Sequence, residues 1–232
     1  MEDSGRGAHG VRLQPIRNIE TVFRVADTLR ALDTERGKRM YMLWIVGINM
    51  GMRISDIVDL KVGDLRGKTE YTYLPHKQEH KSRASNITIP IPEDVQEAVA
   101  ERYKGIEDGA WLFPSRKKHK TNGAVYPKPD KPDEKKKHRE RAVNVGAISR
   151  QTARKDIKEI GRLCGLDMVI GCHTMRKTFG YHYYQANHDV AQLQEWFYHE
   201  SPATTLVYIG ISLDNFRDMV RKSPFRGISG KK

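Results

Sequence analysis

Apolar residues recur at helical spacing through most of the chain. Five of them follow the predicted capping residue Asn18 on one helical face: Ile19, Val22, Phe23, Ala26 and Leu29. A second predicted helix, 35–49, is apolar on most sides and should lie at the centre of the core. Ser55 is placed to begin a short third helix.

After the third helix, apolar residues alternate with polar ones, which is typical of β-strands, and further helices are predicted beyond this stretch. Segments 71–74 and 86–90 are typical of strands joined by a polar turn. Helix returns at 94–104 and again from Ser149 to a stop at Gly165, and several short helices should follow His173. The sequence therefore predicts a mainly α fold with a small antiparallel β-sheet, an α+β class.

Polar and charged segments set the expected domain limits. Residues 1–14 are rich in glycine and polar side chains, and we expect them to be disordered. One domain should span 15–222, followed by a flexible basic tail, 223–232. Within that domain, segment 116–141 holds eleven Lys and Arg against four Asp and Glu, so it cannot build a core and is expected to be an exposed loop.

Charge and cysteine content narrow the class of protein. The 41 Lys and Arg exceed the 29 Asp and Glu by a formal charge of +12, which suits a polyanionic partner such as nucleic acid. Two cysteines without metal-ligand spacing are typical of a reducing compartment. The longest apolar stretch, 40–52, is too short for a bilayer, and the first ten residues hold no signal sequence. A cytoplasmic protein that does not enter a membrane is expected.

Three short segments carry candidate chemistry. GMRISD (51–56) places an arginine after the central helix. HTMR (173–176) has a spacing that brings its histidine and arginine onto one helical face. HESPATTLVY (199–208) begins with a histidine and ends with a tyrosine. Each segment alone is a weak signal, but their order and spacing together are specific.

In that order and spacing the three segments resemble the tyrosine recombinases, the phage-integrase family, from about residue 16 to the end. The resemblance implies the catalytic-domain fold of that family and a site-specific recombinase that cleaves and rejoins duplex DNA. It implies double-stranded DNA as partner and a tetramer on two DNA sites as the active form. It also implies that no metal or other cofactor is needed.

The resemblance assigns a role to each catalytic candidate. Tyr208 would attack a DNA phosphate and form a 3′-phosphotyrosine link. Arg53 and Arg176 are planar, permanently charged donors, suited to the charge that develops on the non-bridging oxygens. His173 would accept or shuttle the tyrosine proton, and His199 would hydrogen-bond the phosphate.

Two further roles keep alternatives open. The leaving 5′-oxygen needs a proton from a lysine of the hairpin turn, for which Lys81 is favoured over Lys77. Asp56 would orient Arg53, or it is simply a carboxylate at a helix start. The basic segment is either a DNA-contacting flap or a solvated insertion. As a flap it would supply six DNA-binding lysines: Lys117, Lys118, Lys120, Lys135, Lys136 and Lys137.

The sequence also departs from the usual family pattern. Tyr198 stands before His199 where the family has a small residue, and it offers a rival hydroxyl, although Tyr208 is preferred as nucleophile. The usual N-terminal DNA-binding domain is not expected within this sequence. The amphipathic segment 213–220 should dock on a neighbouring protomer. Two other functions fit the same fold, a catalytically silent DNA-binding regulator and a type IB topoisomerase.

Overall fold

A computed structural model of the protein describes residues 13–78, 85–115, 146–211 and 221–222. Within these ranges the chain is mainly helical with one two-stranded antiparallel sheet, which confirms the predicted fold class. The elements in chain order are α1 (Ile19–Arg30), α2 (Glu35–Met50), α3 (Ile54–Val58), α4 (Val62–Leu65), β1 (Glu70–Tyr73), a 3-10 turn (His76–Gln78), β2 (Ile87–Pro90), α5 (Glu93–Arg102), α6 (Arg150–Leu163), α7 (Cys172–Asn187), α8 (Val190–Phe197) and α9 (Pro202–Tyr208).

Helix α2 lies at the centre of the main hydrophobic core, as its apolar sequence predicts. It packs against α1, α5, α6 and α7, and its Leu43 and Trp44 are completely buried. Helix α1 buries Val22, Ala26 and Leu29 as expected, but its buried stripe is rotated away from Ile19 and Phe23. Phe23 is 64% exposed, while Val25, which the pattern did not select, is inaccessible. Both stripes have helical spacing, so only the contact with α2 decides which one turns inward.

The small sheet pairs β1 with β2 in an antiparallel register from Glu70 opposite Pro90 to Tyr73 opposite Ile87. Each strand begins or ends within one residue of its predicted limits. Ile87 and Ile89 face the main core, and the alternate residues of β2 face outward. The sheet therefore packs on the main core through one face of β2.

A second, smaller hydrophobic core lies under α8 and α9. Its buried residues are Leu193, Phe197, Ile209 and Ile211. The expected short helices after His173 are found in α8 and α9, but α7 is a long helix of 16 residues. Helix α7 contacts both cores, since Met175 belongs to the main one and Phe179 packs on the smaller one.

The segment before α1 packs on α7, where two side chains of α7 form hydrogen bonds with its backbone. Leu13 is buried and its carbonyl accepts from Lys177 Nζ at 2.9 Å, while Ile16 N donates to Thr178 Oγ1 at 2.9 Å. Leu13, which falls within the predicted N-terminal segment 1–14, thus packs against α7. No helix within the described residues is both long and apolar enough to cross a bilayer.

Several predicted features lie outside the described residues. These are the N-terminal segment 1–12, the turn segment 79–84 with Lys81, the segment 116–145 with the six candidate DNA-binding lysines, the segment 212–220 and the tail 223–232. The predictions for these segments stay predictions.

Candidate active site

Arg53 is placed by the abrupt end of α2. Gly51 ends that helix in the left-handed conformation with φ 59°, and a Cβ there would come within 2.3 Å of the Phe179 ring. Glycine is therefore required both for the turn and for the close packing. Arg53 follows as the residue before α3, so Arg53 and not Ser55 stands at the start of that helix, which corrects the predicted cap.

One backbone carbonyl brings the two predicted arginines together. The carbonyl oxygen of Phe197, at the end of α8, accepts from Arg53 Nη2 and from Arg176 Nη2, each at 3.1 Å. Arg176 also donates to the carbonyl of Gly51. Carbonyls of a last helical turn lack partners within the helix, so they are natural acceptors for guanidinium groups. The arrangement fixes both charges before any ligand binds.

Arg176 is the more deeply placed of the pair, with 3% exposure. Burial, followed by the charge of Arg53, lowers its pKa to about 10, while Tyr208 acts in the opposite direction. The group therefore remains a cation at neutral pH. The face of the Phe197 ring lies 4.1 Å from the guanidinium carbon, which adds a cation–π contact.

Helix α7 carries His173 and Arg176 one turn apart, which confirms their predicted placement on one helix. Thr174 helps to begin the helix, since its Oγ1 accepts from Gly171 N at 3.0 Å. His173 is half-buried, and its Nδ1 lies 3.1 Å from the hydroxyl of Tyr208. The imidazole is thus within reach of the proton that a tyrosine nucleophile must lose.

Tyr208 is the last residue of α9, a helix with clear start signals. Ser201 caps it by accepting from Thr204 N at 3.1 Å, and Pro202 occupies the first turn. The Tyr208 ring packs edge-on against Phe197 and His199, and Lys177 Nζ lies 4.9 Å from its centroid. Burial of the hydroxyl raises the pKa of Tyr208, and the nearby guanidiniums of Arg176 and Arg53 oppose that rise.

His199 also packs against the Tyr208 ring, with its Nδ1 3.0 Å from Thr205 Oγ1. Burial, followed by the positive charges of Arg176, Arg53 and Lys77, lowers the pKa of His199 to about 4. The ring is therefore neutral at pH 7. The influence of Lys77 shows that the described start of the hairpin turn lies near the site.

Asp56 anchors that turn. Its Oδ1 accepts from the backbone N of His76 at 3.0 Å, and His76 Nε2 lies 2.6 Å from Asp59 Oδ2. Burial raises the pKa of Asp56, which the hydrogen bond from His76 and the charge of Arg53 counteract. The hydrogen bond to the turn is a role that the sequence did not suggest, while orientation of Arg53 by Asp56 stays a prediction.

Tyr198, the unusual residue before His199, ends α8 in the left-handed conformation with φ 52°. Glycine suits such a position because it lacks the Cβ that makes this conformation costly, which explains why the family often has glycine there. The structure therefore assigns this position a backbone role. The hydroxyl that lies within hydrogen-bond distance of His173 Nδ1 is that of Tyr208, the predicted nucleophile.

Three contributors to the site had no sequence signal of their own. The Phe197 carbonyl belongs to the backbone, Thr205 looks like an ordinary residue of α9, and Lys177 looks like a surface charge although it is 3% exposed. Their positions follow from packing of α7, α8 and α9 that no local spacing reveals. Thr205 and Tyr208 are three residues apart on one helix, and this was the available clue.

The geometry thus places two arginines and two histidines around Tyr208. Comparison with known proteins identifies the family of the chain. The phage integrase family model matches residues 18–213. A probable integrase/recombinase of Bacillus subtilis (strain 168), YoeC, is 34% identical over 205 residues, covering 88% of this chain and 93% of that protein. The chain therefore belongs to the phage integrase family.

Solved structures share the fold at low identity. The crystal structure of XerA recombinase superposes with a TM-score of 0.61 at 17% identity, over 96% of this chain and 67% of that one. XerH site-specific recombinase, solved with a palindromic difH substrate as a post-cleavage complex, gives a TM-score of 0.57 at 18% identity. That match covers 94% of this chain and 55% of XerH. The described region thus has the fold of tyrosine recombinase catalytic domains.

Proposed function

We propose that this protein is a site-specific recombinase that cleaves and rejoins duplex DNA through a covalent 3′-phosphotyrosine intermediate. The observation that carries the proposal is the Tyr208 hydroxyl, 3.1 Å from His173 Nδ1 and beside the buried guanidinium of Arg176. A silent DNA-binding protein has no use for a tyrosine hydroxyl held in this way. All three groups come from one chain, so the site supports cleavage by a protomer's own tyrosine.

The chemistry follows from the positions of the groups. Tyr208 Oη forms a bond to phosphorus, the bond to the 5′-oxygen breaks, and His173 takes the phenolic proton. Arg53 and Arg176 stabilise the charge on the non-bridging oxygens, since they are held in place before the phosphate arrives. The phosphotyrosine bond conserves the energy of the broken bond, so the reverse attack can rejoin strands without ATP.

The departing 5′-oxygen must receive a proton, and we assign this step to a lysine of the hairpin turn. Lys81 is the favoured donor. Lys77 is the alternative, supported by its electrostatic effect on His199. A 5′-bridging phosphorothiolate separates the two, because its thiolate leaves without a proton. Rescue of Lys81→Ala by that substrate supports Lys81, whereas rescue of Lys77→Ala alone would move the role to Lys77.

We further propose duplex DNA as the partner and a tetramer on two DNA sites as the active form. Solved relatives bound to DNA, such as XerH, support the first point, and the charge of +12 suits it. The six lysines of segment 116–141 would contact the phosphate backbone. Deleting that segment should reduce the slope of log affinity against log salt by about 0.9 per lost phosphate contact; an unchanged slope would favour a solvated insertion.

A nicked suicide substrate tests the proposed function directly. Wild-type protein should form a covalent protein–DNA band that persists in denaturing gels. Tyr208→Phe should form none while binding DNA normally, because only the hydroxyl is lost. Tyr198→Phe is the matched control, and it should keep cleavage. An adduct with Tyr208→Phe, or its loss with Tyr198→Phe, would refute the assignment, and no adduct with wild-type protein on DNA from its native locus would favour a silent regulator.

A further inference from the structure

Thr205 of α9 is completely buried, and its hydroxyl lies against the ring of His199. Its hydroxyl proton therefore has no access to water, and it must point to a protein acceptor. Among the described residues, two acceptors lie within hydrogen-bond distance. His199 Nδ1 is 3.0 Å from Thr205 Oγ1, and the carbonyl oxygen of Ser201 is 3.3 Å away.

Bond lengths and backbone pairing favour the imidazole as acceptor. Hydroxyl-to-carbonyl bonds usually measure about 2.5–3.0 Å, so 3.3 Å is long for such a bond. The Ser201 carbonyl also already accepts the helical bond from Thr205 N at 3.2 Å. The Nδ1 atom faces the hydroxyl at the shorter distance. Donation from Thr205 to Nδ1 thus leaves neither acceptor without a hydrogen bond.

The direction of the hydrogen bond between Thr205 and His199 Nδ1 decides whether the other ring nitrogen, Nε2, is a donor or an acceptor. A neutral imidazole has one N–H donor and one acceptor. If Nδ1 accepts from Thr205, the proton must sit on Nε2. If Nδ1 instead donates to Thr205, then Nε2 has only a lone pair, which a phosphate oxygen would repel. The low pKa of His199, about 4, excludes the doubly protonated ring at neutral pH.

We propose that Thr205 is a positioning residue that holds His199 in the Nε2–H tautomer and so makes it a hydrogen-bond donor to the scissile phosphate. The inference rests on the proposed function, because it assumes that a phosphate binds beside Arg53 and Arg176.

The surrounding contacts agree with this role. His199 N donates to the Gln194 carbonyl at 3.1 Å, and Gln194 Nε2 donates to the His199 carbonyl at 3.1 Å. The backbone of His199 is therefore fixed from both sides, and Thr205 fixes the ring. Since Thr205 and Tyr208 lie one turn apart on α9, the helix that presents the nucleophile also sets the protonation of the phosphate donor.

The tautomer can be measured without DNA. Two-bond nitrogen–proton NMR spectra of protein with ¹⁵N-labelled histidine report which ring nitrogen is protonated, and a His199→Gln spectrum assigns the His199 signals. Wild-type protein and Thr205→Ser should show Nε2 protonated, with Nδ1 shifted as a hydrogen-bond acceptor. Thr205→Val should move the Nδ1 signal to that of a nitrogen without a hydrogen bond. Protonated Nδ1 in the wild-type protein would overturn the proposal.

Cleavage rates provide the second readout. Thr205→Val keeps the shape of the side chain but removes its hydroxyl, and it should slow cleavage of the suicide substrate about tenfold, the effect of one lost hydrogen bond. Thr205→Ser restores the hydroxyl and should stay within about threefold of the wild-type rate. An unchanged rate in Thr205→Val would also overturn the proposal. If wild-type protein formed no adduct, the proposed function would fail while the tautomer assignment stood.

Discussion

Arg176 and Tyr208 lie side by side, yet hydrophobic cores of very different size hold the elements that present them. The main core centres on α2, whose end at Gly51 binds Arg176 and leads to Arg53. Among the described residues, the smaller core has four buried members, which lie in or beside α8 and α9. Tyr208 ends α9, and His199 lies in the loop between the two helices. Small cores bury little apolar area, so the free energy needed to open them locally is low.

The comparison separates two physical tasks. Groups that stabilise transition-state charge gain most when they are fixed before the substrate arrives. Arg176 is buried and is anchored to the end of α2 through the Gly51 carbonyl, and it also donates to the carbonyl of Phe197 in the smaller core. A nucleophile that becomes covalently attached to DNA must travel with its phosphate. A helix on a small hydrophobic core can be displaced at less cost than α2 or α7. The predictions below test this division of labour.

The largest effect on the cleavage rate is expected from removing one of the two site arginines. Arg176→Ala should lower the cleavage rate about 100- to 1000-fold, because one preorganised donor to the developing charge is lost. Arg53→Ala should behave alike. Single-turnover cleavage of a suicide substrate is the measurement. The control is Arg36→Ala, an α2 arginine paired with Asp156 away from the site, which should cleave normally. A loss below tenfold in either site variant would show that other groups hold the phosphate.

The next effect concerns the cores themselves. Leu43→Ala and Leu193→Ala make the same truncation in the main and the smaller core, and both side chains are buried. Leu43→Ala should lower the global free energy of unfolding by about 2–5 kcal/mol. Leu193→Ala should act mainly by local opening, so hydrogen exchange should accelerate in α8 and α9 and change little in α2. Equal acceleration in all three helices would show that the two cores unfold as one unit.

The smallest effect is a pH dependence of stability that arises from the smaller core. The pKa of His199 is lowered from 6.5 to about 4 on folding. The unfolded chain therefore binds more protons between these values, and the stabilisation present above pH 6.5 declines as the pH falls towards 4. Between pH 6.5 and 4, the melting temperature of wild-type protein should fall more steeply with decreasing pH than that of His199→Gln. Parallel curves would place the titration elsewhere.

Much of the candidate site could be predicted because its residues are of chemically distinctive types and lie at short, regular spacings in the sequence. His173 and Arg176 are three residues apart, and Tyr208 ends a segment that Ser201 and Pro202 begin as a helix. The contributions of Phe197 and Thr205 could not be predicted in this way. Phe197 contributes through its backbone carbonyl. Thr205 contributes through a contact that only the structure shows, namely the 3.0 Å between its buried Oγ1 and His199 Nδ1.

The sequence by itself determined which helices and strands form, since hydrophobic period, caps and glycine stops act within a few residues. It also predicted a catalytic set, through a resemblance carried by three local segments. Only the tertiary structure decided which face of α1 is buried, that Asp56 holds the hairpin turn, and that two arginines meet at one carbonyl. Those features depend on the distances between segments far apart in the chain, and such distances are set by the packing of whole helices against one another.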